Sequence, residues 1–204
     1  MKALLSFLLV LFAPAAFGQA TAPDVLVKGI TDDVIQIIRK DKEIRSGNPR
    51  RIAELVESKI LPHFSFARMT QIAMAVNWRR ATPEQRKALT EQFKTLLVRT
   101  YSNALTAYRD QVIVFKPLRA RPDDVEVTVR SEIKQKGAQS VALDYDMEKT
   151  PEGWKVFDVK VGGVSLITTY REDFAGQVRE SGIDGLIKVL AEKNRSGETK
   201  KPAG

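Results

Sequence analysis

Residues 125–161 read VEVTVRSEIKQKGAQSVALDYDMEKTPEGWKVFDVKV, and their alternation decides the fold class. Val125, Val127, Val129, Ser131 and Ile133 alternate with Glu126, Thr128, Arg130 and Glu132. Val141, Leu143, Tyr145 and Met147 alternate with Ala142, Asp144, Asp146 and Glu148 in the same way. A period of two places the apolar set on one face of a strand and the polar set on the other. Lys136-Gly137 and Pro151-Glu152-Gly153 stand where hairpin turns belong. Connections this short make neighbouring strands antiparallel, because a parallel pair needs a crossover of about a dozen residues or more. In the last strand the parity slips: Trp154 and Val156 share one face, whereas Phe157, Val159 and Val161 share the other. A β-bulge repairs such a slip; protein covering both faces also permits it.

Outward from this segment the period changes to that of helices. Leu26, Ile30, Val34, Ile37 and Ile38 mark an amphipathic helix between Asp24 and Asp41. Asn48-Pro49 starts a second, with Ile52, Leu55, Val56 and Ile60 inward, and Pro62 ends it. A shorter helical piece covers Phe66–Ala75. Thr82 and Gln85 form a capping-box pair ahead of a helix expected over Pro83–Asp110, about 40 Å long. Gly162-Gly163 is expected to open a helix stopped at Gly182, and a last helix follows over Asp184–Asn194. The expectation is an α+β fold: a curved four-stranded antiparallel sheet (Val112–Phe115, Val125–Ile133, Val141–Met147, Trp154–Val161) with amphipathic helices on one face, enclosing an apolar cavity.

The N-terminus reads as an address. Lys2 precedes the apolar run Leu4–Phe12, then come Pro14 and the small residues of Ala16-Phe17-Gly18. That is the layout of a cleaved secretory signal over residues 1–18, and the run is too short to span a bilayer, which takes roughly 20 residues. Residues 19–194 are expected to form one domain, and 195–204, with their Lys, Gly and Pro, a disordered tail. The chain carries no Cys and a formal charge of +8. Export without cysteines means a fold that does without disulfides. The charge suits anionic lipid or acidic protein surfaces, or serves only solubility, and export argues against nucleic acid as partner.

Chemistry has little material. The one His, His63, follows Pro62 at a helix end, which leaves nothing for a histidine-based metal cluster or a hydrolytic triad. Asp144 and Asp146 share the polar face of a strand; Asp158 interrupts an apolar one and reads either as a buried base or as a structural acceptor. The sequence also has an excess of bulky apolar side chains on several elements, which serve equally as core or as the lining of a cavity.

Two segments carry a family resemblance. One is GWKVFDVKVGGVSLITTYREDFAGQVRESGIDGLIKVLAEKN, residues 153–194, and most specifically Trp154, Val156 to Val159, Gly163 to Leu166 and Tyr170-Arg171. The other is NWRRATPEQRKALTEQFKTLLVRTY, residues 77–101, with Tyr108. Together they resemble the MlaC family, also called toluene-tolerance auxiliary proteins. Many members have Gly three residues before the Trp, where this chain has Ala75. The resemblance implies a soluble, monomeric, non-enzymatic periplasmic carrier that needs no cofactor or metal and maintains outer-membrane lipid asymmetry. Its implied partners are phospholipid, an outer-membrane lipoprotein–porin complex and an inner-membrane ATP-driven lipid transport complex. Acyl chains are expected against Phe66, Met69, Phe93, Leu97, Tyr101, Val129, Val141, Leu143, Trp154, Phe157, Val159, Ile167, Tyr170 and Phe174. A small pocket enzyme using Asp158 and a periplasmic protein-binding adaptor stand as alternatives.

Overall fold

The computed structural model describes residues 21–196. The expected signal segment, residues 1–18, lies outside them, as do residues 197–204 of the expected tail; the last helix runs through Ser196. Five antiparallel strands lie in sequence order: β1 (Val112–Phe115), β2 (Glu126–Lys134), β3 (Val141–Thr150), β4 (Gly153–Val161) and β5 (Val164–Ser165). The α+β class stands, with a fifth strand that the pattern did not show. Its origin is Gly162-Gly163, which does not open a helix as expected. Both glycines take positive φ, 59° and 85°, the requirement of a tight hairpin turn, so β4 folds straight back into β5.

Register explains the parity slip in β4. Met147 pairs with Val156 while Asp146 pairs with Asp158, which leaves Phe157 as the extra residue of a bulge. Trp154, Val156, Val159 and Val161 therefore share a face with Met147, Tyr145 and Leu143 of β3 and with Val127 and Val129 of β2. The opposite face carries Glu126, Thr128, Arg130, Asp144, Asp146 and Lys160, and Lys160 pairs with Asp146 at 2.6 Å.

Helices α1 (Pro23–Lys40), α2 (Lys42–Arg45) and α3 (Pro49–Leu55) bury Val34, Ile38, Ile44, Ile52 and Leu55 together. The Asn48 side chain accepts from the amides of Arg50 and Arg51, and so starts α3 as its sequence indicates. Helices α4 (Phe66–Met74), α5 (Pro83–Tyr101) and α6 (Arg171–Ser196) bury a second set around Met69, Leu89, Phe93, Phe174 and Leu186. The Thr82–Gln85 capping box is present. A third set, Val27, Val129, Met147 and Val156, lies between the start of α1 and the sheet. Helix α6 bends at Gly182 (φ 74°), which divides it where the sequence places a stop.

Helix α5 ends at Tyr101, nine residues before the expected end, and spans about 28 Å. From Ser102 to Ala107 the chain tightens into a 3₁₀ segment. The Ser102 hydroxyl donates to the Val98 carbonyl and the Thr106 hydroxyl to that of Asn103, bonds that compete with helix continuation. Helix α4 ends at Met74, and the φ of 47° and ψ of −123° of Ala75, which follows it, are those of a position that favours glycine. No helix among the described residues is long and apolar enough to cross a membrane.

Candidate functional site

Proline 62 shapes the site's first wall. It has no N–H, and its ring crowds the carbonyl four residues back, so the preceding turn cannot stay α-helical. Residues Val56–Ile60 widen into a π-helical turn, the Leu61 amide reaching back five residues to the Val56 carbonyl. Val56, Ile60 and Leu61 then face Val98, Ser102 and Leu105 from the end of α5 and its 3₁₀ extension. The other wall is Phe64, Phe66, Met69, Leu97, Tyr101, Val159, Leu166 and Ile167. Between them lies a cavity of about 220 Å³ with no ionisable carboxylate, amine or imidazole in its lining.

Six expected positions line this cavity: Phe66, Met69, Leu97, Tyr101, Val159 and Ile167. The structure places the other eight outside its wall. Phe93, Tyr170 and Phe174 pack on one another, with Phe93 at 5.0 Å from Tyr170 and 5.1 Å from Phe174 between ring centres. They fill the helical core directly behind the wall. Val129 and Trp154 belong to the set beneath α1. Phe157 leaves the inner face because it is the bulged residue; its ring lies 5.6 Å under the Arg68 guanidinium. Leu143 is half-buried and Val141 is 39% exposed, since both sit toward the open end of β3. Val56 and Ile60, on the sequence's second helical stripe, and Leu105, within the expected long helix, turn toward the cavity through the π-helical and 3₁₀ segments.

Two polar features bear on the wall. Asp158 is 4% exposed, and its carboxyl is pushed above the usual aspartate range by burial, an effect that Asp146 adds to and the Ser165 hydroxyl opposes. Ser165 donates to Asp158 at 2.5 Å and accepts from the amides of Ile167 and Thr168. Asp158 is thus a structural acceptor, off the cavity lining, that fixes the turn carrying Leu166 and Ile167 into it. Tyr101 and Tyr170 hold their hydroxyls away from solvent without a well-formed hydrogen bond, though each lies in the other's field. Burial pushes both phenols up, so they stay neutral.

His63 is half-buried beside Lys155, and burial lowers its pKa; it does not reach the cavity. No acidic or imidazole cluster suited to a metal exists among the described residues. A chamber whose lining is apolar except for the Tyr101 and Ser102 hydroxyls can enclose a hydrocarbon.

Comparison with known proteins agrees with that chemistry. The MlaC protein family model matches residues 28–192. The chain belongs to the MlaC family. MlaC-family relatives include the toluene tolerance protein ttg2D of Pseudomonas putida, 29% identical over 200 residues, covering 94% of this chain and 93% of its own. The intermembrane phospholipid transport system binding protein MlaC of Haemophilus influenzae is 25% identical, covering 92% and 89%. Among solved structures, a phospholipid-binding protein from Ralstonia solanacearum, in complex with a phospholipid, superposes with a TM-score of 0.78. It is 43% identical, and the match covers 85% of this chain and 97% of that one.

Proposed function

We propose that this protein is a periplasmic carrier that takes phospholipid acyl chains into the cavity and shuttles lipid between the outer and inner membranes, maintaining outer-membrane lipid asymmetry. The observation that carries this reading is the cavity lining, apolar throughout except for Ser102 and the Tyr101 hydroxyl. Each methylene left in water costs about 0.8 kcal/mol, so a soluble carrier has to enclose the tails. The similar Ralstonia protein is described in complex with a phospholipid, which supports the ligand class. Carriage breaks no bond and calls for neither cofactor nor metal. The carrier acts as a monomer and exchanges lipid with an outer-membrane lipoprotein–porin complex and an inner-membrane ATP-driven complex.

The cavity is below the roughly 300–1,000 Å³ of most ligand pockets, so a two-tailed lipid enters only as the walls part. The seam lies between the core of α1–α3 and that of α4–α6, because the cavity takes Val56 from one and Met69 and Leu97 from the other. Parting there brings Tyr170 and Phe93, now one layer back, and Leu143 toward the tails. Mass spectrometry of an organic extract of the purified protein tests the reading: stoichiometric phospholipid supports it, and a protein that neither co-purifies with lipid nor takes it up from vesicles overturns it.

A further inference from the structure

The apolar surface of the cavity does not stop at its wall. Val159 lines the cavity; Val161, two residues on along β4 and about 7 Å away, shares its face and is 38% exposed. Val161 pairs with Leu143 of β3 on one side and with Val164 of β5 on the other. Val164 is 53% exposed, and Val141 lies one strand step beyond Leu143 on the same face. Water-exposed valines joined in this way to a buried chamber form an unpartnered apolar rim.

This end of the sheet is also basic. The β2–β3 hairpin projects there, with Lys134 at its base and Lys136 in its turn, both exposed and neither in an ion pair among the described residues. Glu132, the carboxylate two residues before Lys134, is already held by Lys116. Lys134 lies, like Asp144 and Asp146, on the face of the sheet opposite the valines, but at the hairpin tip; the two aspartates sit farther along β3, Asp144 opposite Arg130 and Asp146 paired with Lys160.

We infer that this rim is a membrane-contact surface, on which Val141, Val161 and Val164 enter the headgroup layer of an anionic bilayer while Lys134 and Lys136 meet its phosphates. The inference rests on the lipid-carrier reading of the cavity. A chain sliding between cavity and bilayer across this rim passes from one apolar surface to the next without crossing water. The lysines select anionic lipid over neutral, because exposed cations near a charged membrane add to affinity and lose that effect in salt.

Flotation of the full chain with vesicles of phosphatidylcholine, alone or mixed with phosphatidylglycerol, tests this. The expected result is binding to the mixed vesicles, weakened about tenfold or more in a Lys134→Ala/Lys136→Ala variant and by raised salt. A Val141→Ser/Val161→Ser/Val164→Ser variant is expected to lose vesicle binding and to keep its co-purified phospholipid. Failure to float with either vesicle, or undiminished binding by both variants, overturns the inference. Because co-purified lipid is measured on the same samples, its absence from the unsubstituted protein would instead count against the carrier reading, and its loss from the valine variant alone would make the rim part of the cavity and overturn the inference.

Discussion

Asp158 and Ser165 face each other across the β4–β5 hairpin at 2.5 Å, and the same Ser165 hydroxyl caps the turn of Ile167 and Thr168. One hydroxyl therefore links a buried carboxyl to two backbone amides next to the cavity. Ser165→Ala should cost about 2 kcal/mol, since it removes a cap and leaves Asp158 buried without its partner. Urea denaturation measures it; an unchanged midpoint would mean that the turn is held by packing alone.

The raised pKa of Asp158 also sets a pH dependence. In the window between its unfolded pKa, near the ordinary 3.8, and its higher folded value, the native state binds more protons than the unfolded one. This group's contribution is fully present below that window and is lost as pH rises through the folded pKa. Asp158→Asn, whose amide oxygen still accepts from Ser165, should remove that component. Parallel stability–pH curves for the two proteins would contradict it.

Ala75 occupies a backbone conformation suited to glycine. Strain of this kind costs about 1–3 kcal/mol, and glycine returns part of the gain as unfolded-state entropy. Ala75→Gly should thus raise stability by about 1 kcal/mol, read as a higher urea midpoint at constant m-value.

Val159 lines the cavity, whereas Leu143 lies toward its open end. A carboxylate in an apolar chamber is strongly disfavoured, so Val159→Asp should strip co-purified phospholipid. Leu143→Asp, able to turn its charge to water, should reduce the load less. Circular dichroism must show both folded, and an equal or reversed ranking would move the tails away from β4.

Removing a buried hydroxyl that makes no well-formed hydrogen bond should cost little. Tyr170→Phe is expected to leave stability within about 1 kcal/mol of the parent or to raise it, with no loss of lipid. A large destabilisation would reveal a partner for that oxygen.

The sheet was legible because its register is written in period two: Val127 to Ile133 and Val141 to Met147 pair across the expected hairpin, and the parity slip marks the bulge at Phe157. β5 was not, because two residues are too few to show a period. The end of α5 was missed because the apolar stripe continues through Leu105 and Tyr108 while serine and threonine hydroxyls tighten the backbone beneath it. The cavity was only half legible, for a physical reason. Phe93 and Leu97 lie on one helix face and are buried alike, yet one meets aromatic rings and the other an opening. Periodicity reports burial; it does not report what the buried side chain touches.

The position of the cavity between two helical cores makes cargo an element of structure. A lipid seated there gives both cores a shared partner and stabilises the folded state by an amount that grows with its occupancy. Loaded and empty protein are then two species of different melting temperature. A thermal scan of material taken from cells would read out how much of the pool holds lipid, and the empty form would be the one that proteases reach first.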